Sequence, residues 1–541
     1  MNRPVVLVIL DGWGIGPSGP GNAICLAHTP TMNELLTAFP HTELTASGEA
    51  VGLPRGEDGN TETGHLNIGA GQIVYQDLPR INVSIADGSF FENAAFQNAV
   101  SHVQQNRSKL HLLGLIGSGG VHSNLEHLFA LMHFAKQHET QSVYLHLITD
   151  GRDSPPNSAL TYLAGIRQKI AQGGSVGKIA TIMGRYWAMD RDHRWERTAK
   201  AYFALTKGIG IPSESPEAAI KISYDAGKTD EFIDPTIIVT SDHRPVALVE
   251  NGDAVIFFNY RIDRPRQLTK AFVLPNFQIQ ALQEGFDPFA VKYYQKHISE
   301  RREVTAPFER GDLLKNLYFV TMTRYEENLP VDVAFAPQFV HMPLGRVIAE
   351  QGLRQARIAE TEKERFVTYY FNGYREEPFV GEDRFIIPSP MVPTFDLKPE
   401  MATPELTRLL IEKLHTKQYD FFVINVACPD MVAHTGNLEA TKIACEATDV
   451  FLKSAVSETL ALDGVVVVTG DHGNAEELID PMTGQKDTEH STAPVPFIIV
   501  SNKLRGSTQK LQPGILADIA PTILRLMEIE QPQEMSGRSL F

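Results

Sequence analysis

The chain has 541 residues, 43% hydrophobic and 21% charged, long enough for two or more domains with cores of their own. Its net charge of −16 argues against general nucleic-acid binding, which needs a basic face, and against an anionic membrane surface. Three cysteines, Cys25, Cys428 and Cys445, give no disulfide framework or cysteine-rich metal site and suit a reducing cytoplasm. The apolar run after Pro4 stops at Asp11, too soon for a signal peptide or a membrane span, so a soluble cytoplasmic protein is expected.

Short apolar runs at residues 5–10, 110–115, 143–148, 254–258, 421–426, 465–469 and 497–500 read as buried parallel strands. Helical patterns lie between them, as at 125–137, 158–172 and 404–414. This alternation predicts α/β layers with sheets covered on both faces. Residues 286–310 are charged and irregular and read as a surface insertion. Pro-containing segments at 77–80 and 334–343 read as linkers. With both as hinges, the chain enters one domain, builds a second, and returns to the first.

In open α/β sheets, ligands gather beyond the carboxyl ends of the strands. Asp11 ends the first apolar run, Asp430 follows the run at 421–426, and Asp471 and His472 follow the run at 465–469. Asp430 and His434 are spaced to share one face of a helix. His490 follows farther on. A single Asp after a strand is more often a helix cap. Carboxylates and imidazoles gathered in two such clusters instead suggest a site for two divalent metals that handle a phosphate.

The segment Gly59-Asn60-Thr61-Glu62-Thr63-Gly64-His65 predicts a helix starting near Thr61. A helix N-terminus offers free N–H groups to a phosphate, and a hydroxyl held there against a metal can ionise and attack phosphorus. Taken alone, the segment reads as a helix cap. It is not a Walker A loop, because no Gly-Lys-Ser/Thr follows.

A second constellation occupies residues 117–266. It contains His122, the run Asp150-Gly151-Arg152-Asp153, Arg185, Asp190-Arg191-Asp192, and Arg261 and Arg264 after the run at 254–258. Guanidinium forks match phosphate and carboxylate geometry, so grouped arginines in an acidic protein suggest capture of a small polyanion. Any one Arg–Asp pair here reads as solvated ion pairing. Their joint presence favours binding.

These motifs together closely resemble the cofactor-independent phosphoglycerate mutases of the alkaline phosphatase superfamily. The resemblance spans nearly the whole chain. It includes Val8-Ile9-Leu10-Asp11-Gly12-Trp13-Gly14, Gly64-His65-Leu66-Asn67-Ile68-Gly69-Ala70-Gly71 and Arg194-Trp195-Glu196-Arg197. It also includes Ile358-Ala359-Glu360-Thr361-Glu362-Lys363, Gly470-Asp471-His472-Gly473-Asn474-Ala475 and Leu516-Ala517-Asp518-Ile519-Ala520-Pro521-Thr522.

The resemblance implies an alkaline-phosphatase-like, doubly wound α/β domain built from residues 1–76 and 342–541. A second α/β phosphotransferase domain, residues 77–341, is inserted between them. It implies two Mn²⁺ ions, one on Asp11, Thr61, Asp471 and His472 and one on Asp430, His434 and His490, with Mg²⁺, Co²⁺ and Zn²⁺ as overlapping choices. Substrate contacts are implied for His122, Arg152, Asp153, Arg185, Arg191, Arg261, Arg264 and Lys363. The implied reaction interconverts 3-phosphoglycerate and 2-phosphoglycerate through a phosphoenzyme on Thr61, without 2,3-bisphosphoglycerate, in a cytoplasmic and monomeric protein with no nucleic-acid or membrane partner. The family normally has Ser where this chain has Thr61, and it offers no role for the extra length near residues 280–310. Two alternatives stand beside this reading: a metal-dependent phosphatase or phosphodiesterase of the same superfamily, and a non-catalytic binding homologue.

Overall fold

A computed structural model describes residues 4–173, 176–282, 306–480 and 482–541. Its first strands are β1 (Val5–Leu10) and β2 (His41–Thr45). Then come β3 (Leu110–Ile116), β4 (Val143–Thr149), β5 (Lys178–Gly184), β6 (Ile211–Ser213), β7 (Thr236–Ile238), β8 (Ala254–Phe257), β9 (Tyr318–Thr323) and β10 (Asp332–Phe335). The last are β11 (Gln355–Glu360), β12 (Glu382–Ile387), β13 (Phe421–Val426), β14 (Val465–Gly470), β15 (Val495–Val500) and β16 (Gly514–Ile515). The chain divides into two compact units: residues up to Pro79 together with Gln338–Phe541, and Arg80–Pro337.

The sheet of the first unit has the order β12-β11-β13-β1-β14-β15-β2-β16. Every residue of β1 is buried, because helices cover both faces. Val6, Val8 and Leu10 point into a core shared with helices Thr403–Thr416 and Leu438–Ala461. Val5, Leu7 and Ile9 point the other way, into a core shared with helices Thr61–Ala70, Leu344–Glu350 and Ile519–Leu526. An unbroken apolar run is what such a strand requires. Each of these side chains contributes roughly 1.5–3 kcal/mol by burial, so no position tolerates a charge.

The second unit has its own sheet, in the order β10-β9-β8-β3-β4-β5-β7-β6. Leu113, Leu115, Ile148, Val255 and Phe257 pack one face against helices Trp195–Lys207 and Arg266–Val273. The sequence reading of a two-domain α/β protein therefore holds.

Several local readings need correction. The run at 497–500 is part of β15, which is antiparallel to both β14 and β2. Among the described residues no helix lies between β14 and β15, and a parallel return needs such a crossover. Residues 77–80 do join the two units, but as the first turn of helix Asp77–Asp87 rather than as an irregular segment. Pro79 is tolerated there because N–H groups in a first turn have no helical partner. Residues 286–305 of the expected insertion lie outside the described residues. Arg310, at its end, is buried rather than on the surface. It donates to the carbonyls of Ala271 (2.9 Å) and Leu274 (2.8 Å), at the C-terminus of helix Arg266–Val273.

Candidate active site

Four adjacent parallel strands of the first unit, β11, β13, β1 and β14, end at one edge of the sheet. Leu10 pairs with Val426 on one side and Gly470 on the other, so Asp11, the residues after Val426 and Asp471 leave the sheet side by side. Helix Cys428–Ala433 then presents Asp430, with His434 as its C-cap. Because β15 is antiparallel, its N-terminal end lies at this same edge, and the loop before it brings in His490. Thr61 opens helix Thr61–Ala70, where the Asn60 side chain accepts from the Thr63 N–H at 2.9 Å. Gly64 lets this helix approach closely, since a Cβ there would lie 2.6 Å from the Asp471 carbonyl oxygen.

The side chains converge. Thr61 Oγ1 lies 2.9 Å from His472 Nε2, 3.0 Å from Lys363 Nζ and 3.4 Å from Asp11 Oδ1. Lys363 Nζ donates at 2.7 Å to both Asp11 and Asp430. His434 Nε2 and His490 Nε2 lie 3.3 and 3.4 Å from Asp430 Oδ1. Among the described residues, two groups each bring one potential ligand atom per residue within 4.8 Å of the others in the group: Asp430, His472 and His490, and Asp11, His65 and Asp471. His472 thus groups with Asp430 by distance, while its Nε2 is also 3.4 Å from Asp11 and 3.5 Å from Asp471. It faces both sets.

The donor chemistry fits metal ions. His434 Nδ1 meets the Thr488 carbonyl at 2.8 Å, His490 Nδ1 the Gly59 carbonyl at 2.9 Å, and His472 Nδ1 the Gly473 carbonyl at 3.2 Å. With each Nδ1–H committed to a carbonyl, three Nε2 atoms turn inward beside three buried carboxylates, an arrangement that calls for a cation. Burial opposes charge on these groups, yet their neighbours prevail. Asp471 is held at about 2 by His472, His65 and Lys363, and Asp430 lies well below the carboxylate range beside Lys363. His472 is raised to about 10 by Asp471, Asp11 and Asp430.

In the second unit, adjacent parallel strands β8, β3, β4 and β5 deliver the arginine cluster in the same way. Arg185 is buried and donates to Asp150 at 2.5 Å, to Asp153, and to His122 Nε2 at 2.9 Å. A guanidinium only donates, so His122 Nε2 is an acceptor and its proton sits on Nδ1. That Nδ1 is buried and makes no hydrogen bond, and burial with the Arg185 charge holds the imidazole at about 4. Asp263 accepts from Arg191 at 2.6 Å and from Arg261 at 3.1 Å. Arg264 donates to the Met189 carbonyl at 3.1 Å, and burial with the Arg185 and Arg191 charges lowers its pKa. Arg152 is exposed, 3.9 Å from Glu231. Cations crowded this closely suit an anionic ligand.

Lys363, for which the resemblance implies a substrate contact, lies among the carboxylates of the first unit. Four residues given no role by the sequence reading complete the two clusters: His65, Asn425, Asn474 and Asp263. Asn425 donates to Asp11 at 2.5 Å and Asn474 to Asp430 at 2.8 Å. The available signal was a lone amide inside the apolar run of β13.

The model of the BPG-independent PGAM N-terminus family (iPGM_N) matches residues 81–327. A 2,3-bisphosphoglycerate-independent phosphoglycerate mutase of Chloroflexus aurantiacus is 51% identical over 542 residues, covering 100% of this chain and 98% of that protein. One from Moorella thermoacetica is 49% identical, covering 100% and 99%. The chain belongs to the 2,3-bisphosphoglycerate-independent phosphoglycerate mutases. The crystal structure of the Leishmania mexicana phosphoglycerate mutase at low cobalt concentration aligns with a TM-score of 0.54 at 28% identity, covering 100% of this chain and 98% of that one.

In this member of the mutase family, Glu360 is the last residue of β11, just before the turn that carries Lys363. Its Oε1 accepts from the Ala402 N–H at 3.0 Å, and Oε2 is buried without a partner. Burial pushes the carboxyl from 4.5 up to about 7. An acid raised in the folded state costs stability as pH rises from its unfolded value through its folded one, here by roughly 3 kcal/mol. Glu360→Gln is therefore expected to raise the melting temperature at pH 8 and much less at pH 5. An equal gain at both pH values in thermal denaturation would show that ionisation is not the cause.

The three cysteines are free, and among the described residues no helix is long and apolar enough to cross a membrane.

Proposed function

We propose that the chain interconverts 3-phosphoglycerate and 2-phosphoglycerate without 2,3-bisphosphoglycerate, carrying the phosphoryl group on Thr61. The observation that carries this reading is the placing of the Thr61 hydroxyl, within 3.4 Å of Asp11, His472 and Lys363 at the start of a helix, in a chain half identical to named mutases along its full length. Asp11, Thr61, Asp471 and His472 would hold one divalent ion, Mn²⁺ in this reading, and Asp430, His434 and His490 a second. When bound, the pair supplies a lowered pKa for the attacking hydroxyl and neutralises charge on the transferring group.

The chain's own residues do the rest. Thr61 Oγ1 forms a bond to phosphorus as the bond from phosphorus to the C3 oxygen breaks. The glycerate oxygen takes up a proton, matching the one lost by Thr61. The N-terminal amides of helix Thr61–Ala70 and the Lys363 ammonium face the phosphoryl charge. Arg152, Arg185, Arg191, Arg261 and Arg264 hold the carboxylate of the freed glycerate while it reorients, with His122 and Asp153 at its hydroxyls. Its C2 hydroxyl then attacks the phosphothreonine, which restores Thr61 and releases 2-phosphoglycerate.

The test is 3-phosphoglycerate turnover by the purified chain with Mn²⁺ and no added 2,3-bisphosphoglycerate. Formation of 2-phosphoglycerate is expected. Inorganic phosphate without 2-phosphoglycerate would replace this reading with a phosphatase. No turnover would replace it with a binding protein.

A further inference from the structure

The motif Gly64-His65-Leu66-Asn67 contains a residue that the reaction above does not use. His65 is fully buried one helical turn beyond Thr61, and both of its ring nitrogens are engaged. Nε2 lies 3.1 Å from Nδ2 of Asn425. Nδ1 lies 3.0 Å from the Thr61 carbonyl and 3.2 Å from Oδ2 of Asp471.

The directions of these bonds follow from what each atom can do. The Asn425 amide also reaches Oδ2 of Asp11 at 2.5 Å. An ionised carboxylate only accepts, so the amide must turn its NH₂ toward Asp11. The second hydrogen of that NH₂ then points to His65. Nε2 of His65 is thus the acceptor, and the ring proton sits on Nδ1, facing Thr61 and Asp471. Asn425 Oδ1 remains buried without a partner. An unpaired buried carbonyl oxygen is costly, roughly 1–3 kcal/mol, so this orientation is held by the two bonds that the NH₂ donates.

We propose that His65 is a positioning residue for the first metal set. One imidazole, oriented by Asn425, links Asp11 to the Thr61 backbone by hydrogen bonds and sets its Nδ1 3.2 Å from Asp471 Oδ2, a buried oxygen with no hydrogen-bond partner of its own. Groups in this second layer fix the direction and basicity of metal ligands, and their loss typically weakens metal affinity 10- to 100-fold. This rests on the two-metal reading of the site.

The experiment is Mn²⁺ titration of the purified full-length chain by calorimetry, for wild type, His65→Leu and His65→Asn. Circular dichroism and melting show whether each variant is folded. Asparagine places an N–H donor near the former Nδ1 position, whereas leucine places none. Wild type is expected to bind two ions. In His65→Leu, one of the two affinities falls by about 10- to 100-fold and the other stays put. His65→Asn recovers most of the loss. The KM for 3-phosphoglycerate stays near the wild-type value in both variants, and added Mn²⁺ restores kcat of His65→Leu. A folded His65→Leu that binds both ions as wild type does would overturn the proposal alone. A folded His65→Asn as weak as His65→Leu would also overturn it, because the donated hydrogen bond would then not matter. Should wild type bind no pair of ions, the two-metal reading falls first and this proposal with it. An unfolded His65→Leu leaves His65→Asn to decide: a loss there of tenfold or more at one site, with the fold intact, overturns the role of the Nδ1 donor.

Discussion

Thr61→Ala is expected to lower 3-phosphoglycerate turnover by roughly four orders of magnitude or more, as removal of a covalent nucleophile does. The fold should survive. Thr61 is buried, but its side chain is small, and its hydroxyl is one partner among several for His472, Lys363 and Asp11. Loss of one such hydrogen bond costs about 1 kcal/mol. Thr61→Ser keeps the hydroxyl and drops the methyl that restricts χ1, so turnover should stay within about tenfold of wild type. Mass spectrometry of protein quenched during turnover should find phosphate on residue 61 in wild type and Thr61→Ser and none in Thr61→Ala. A folded Thr61→Ala enzyme with wild-type kcat removes Thr61 from the role of nucleophile, whatever the metal content.

How far such a site can be read from sequence depends on which physical constraint acts locally. The runs of β1, β13 and β14 are legible because both faces are buried, which forces unbroken apolar stretches. The same constraint hides direction. β15 is as buried as its parallel neighbours, so its apolar run carries no sign that it is antiparallel. β11 and β12 are not legible as apolar runs because their sequences, QARIAE and EDRFII, mix charges into the strand. In β11 the polar side chains are buried with partners such as Gly345 and Asn372. β12 ends the sheet, with no further strand on its outer edge among the described residues. The strand-end placement of Asp11, Asp430 and Asp471 follows from local pattern plus the general behaviour of parallel sheets. The placement of Lys363 does not, because it depends on β11 lying beside β13, an ordering no local segment encodes. Asn425 shows the limit from the other side. An amide in an apolar strand signals a buried polar task, yet its partners, Asp11 and His65, come from elements hundreds of residues away in the chain.

Lys363→Met is the substitution that most directly probes how the carboxylates are balanced. The ammonium is buried, which alone would lower its pKa, but Asp11, Asp430 and Asp471 raise it above the ordinary 10.5. A lysine raised in this way contributes stability that is fully present below its unfolded pKa and lost only as pH climbs through the higher folded value. The penalty of the substitution should therefore be nearly constant between about pH 6 and 9. Removing one partner from a buried charged cluster costs roughly 3–5 kcal/mol, because the carboxylates that remain are left without compensation. In EDTA the variant is expected to melt well below wild type. Added Mn²⁺ should close most of that gap, since divalent cations at the same carboxylates replace the missing charge. Turnover should not follow. Lys363 Nζ also lies 3.0 Å from the attacking oxygen, and loss of a fixed donor there costs roughly 10²–10³ in kcat even at saturating metal. Stability restored by Mn²⁺ with kcat still reduced by roughly 10²–10³ separates the two tasks of this side chain. Equal melting of variant and wild type in EDTA would mean that the three aspartates do not depend on Lys363 for their charge.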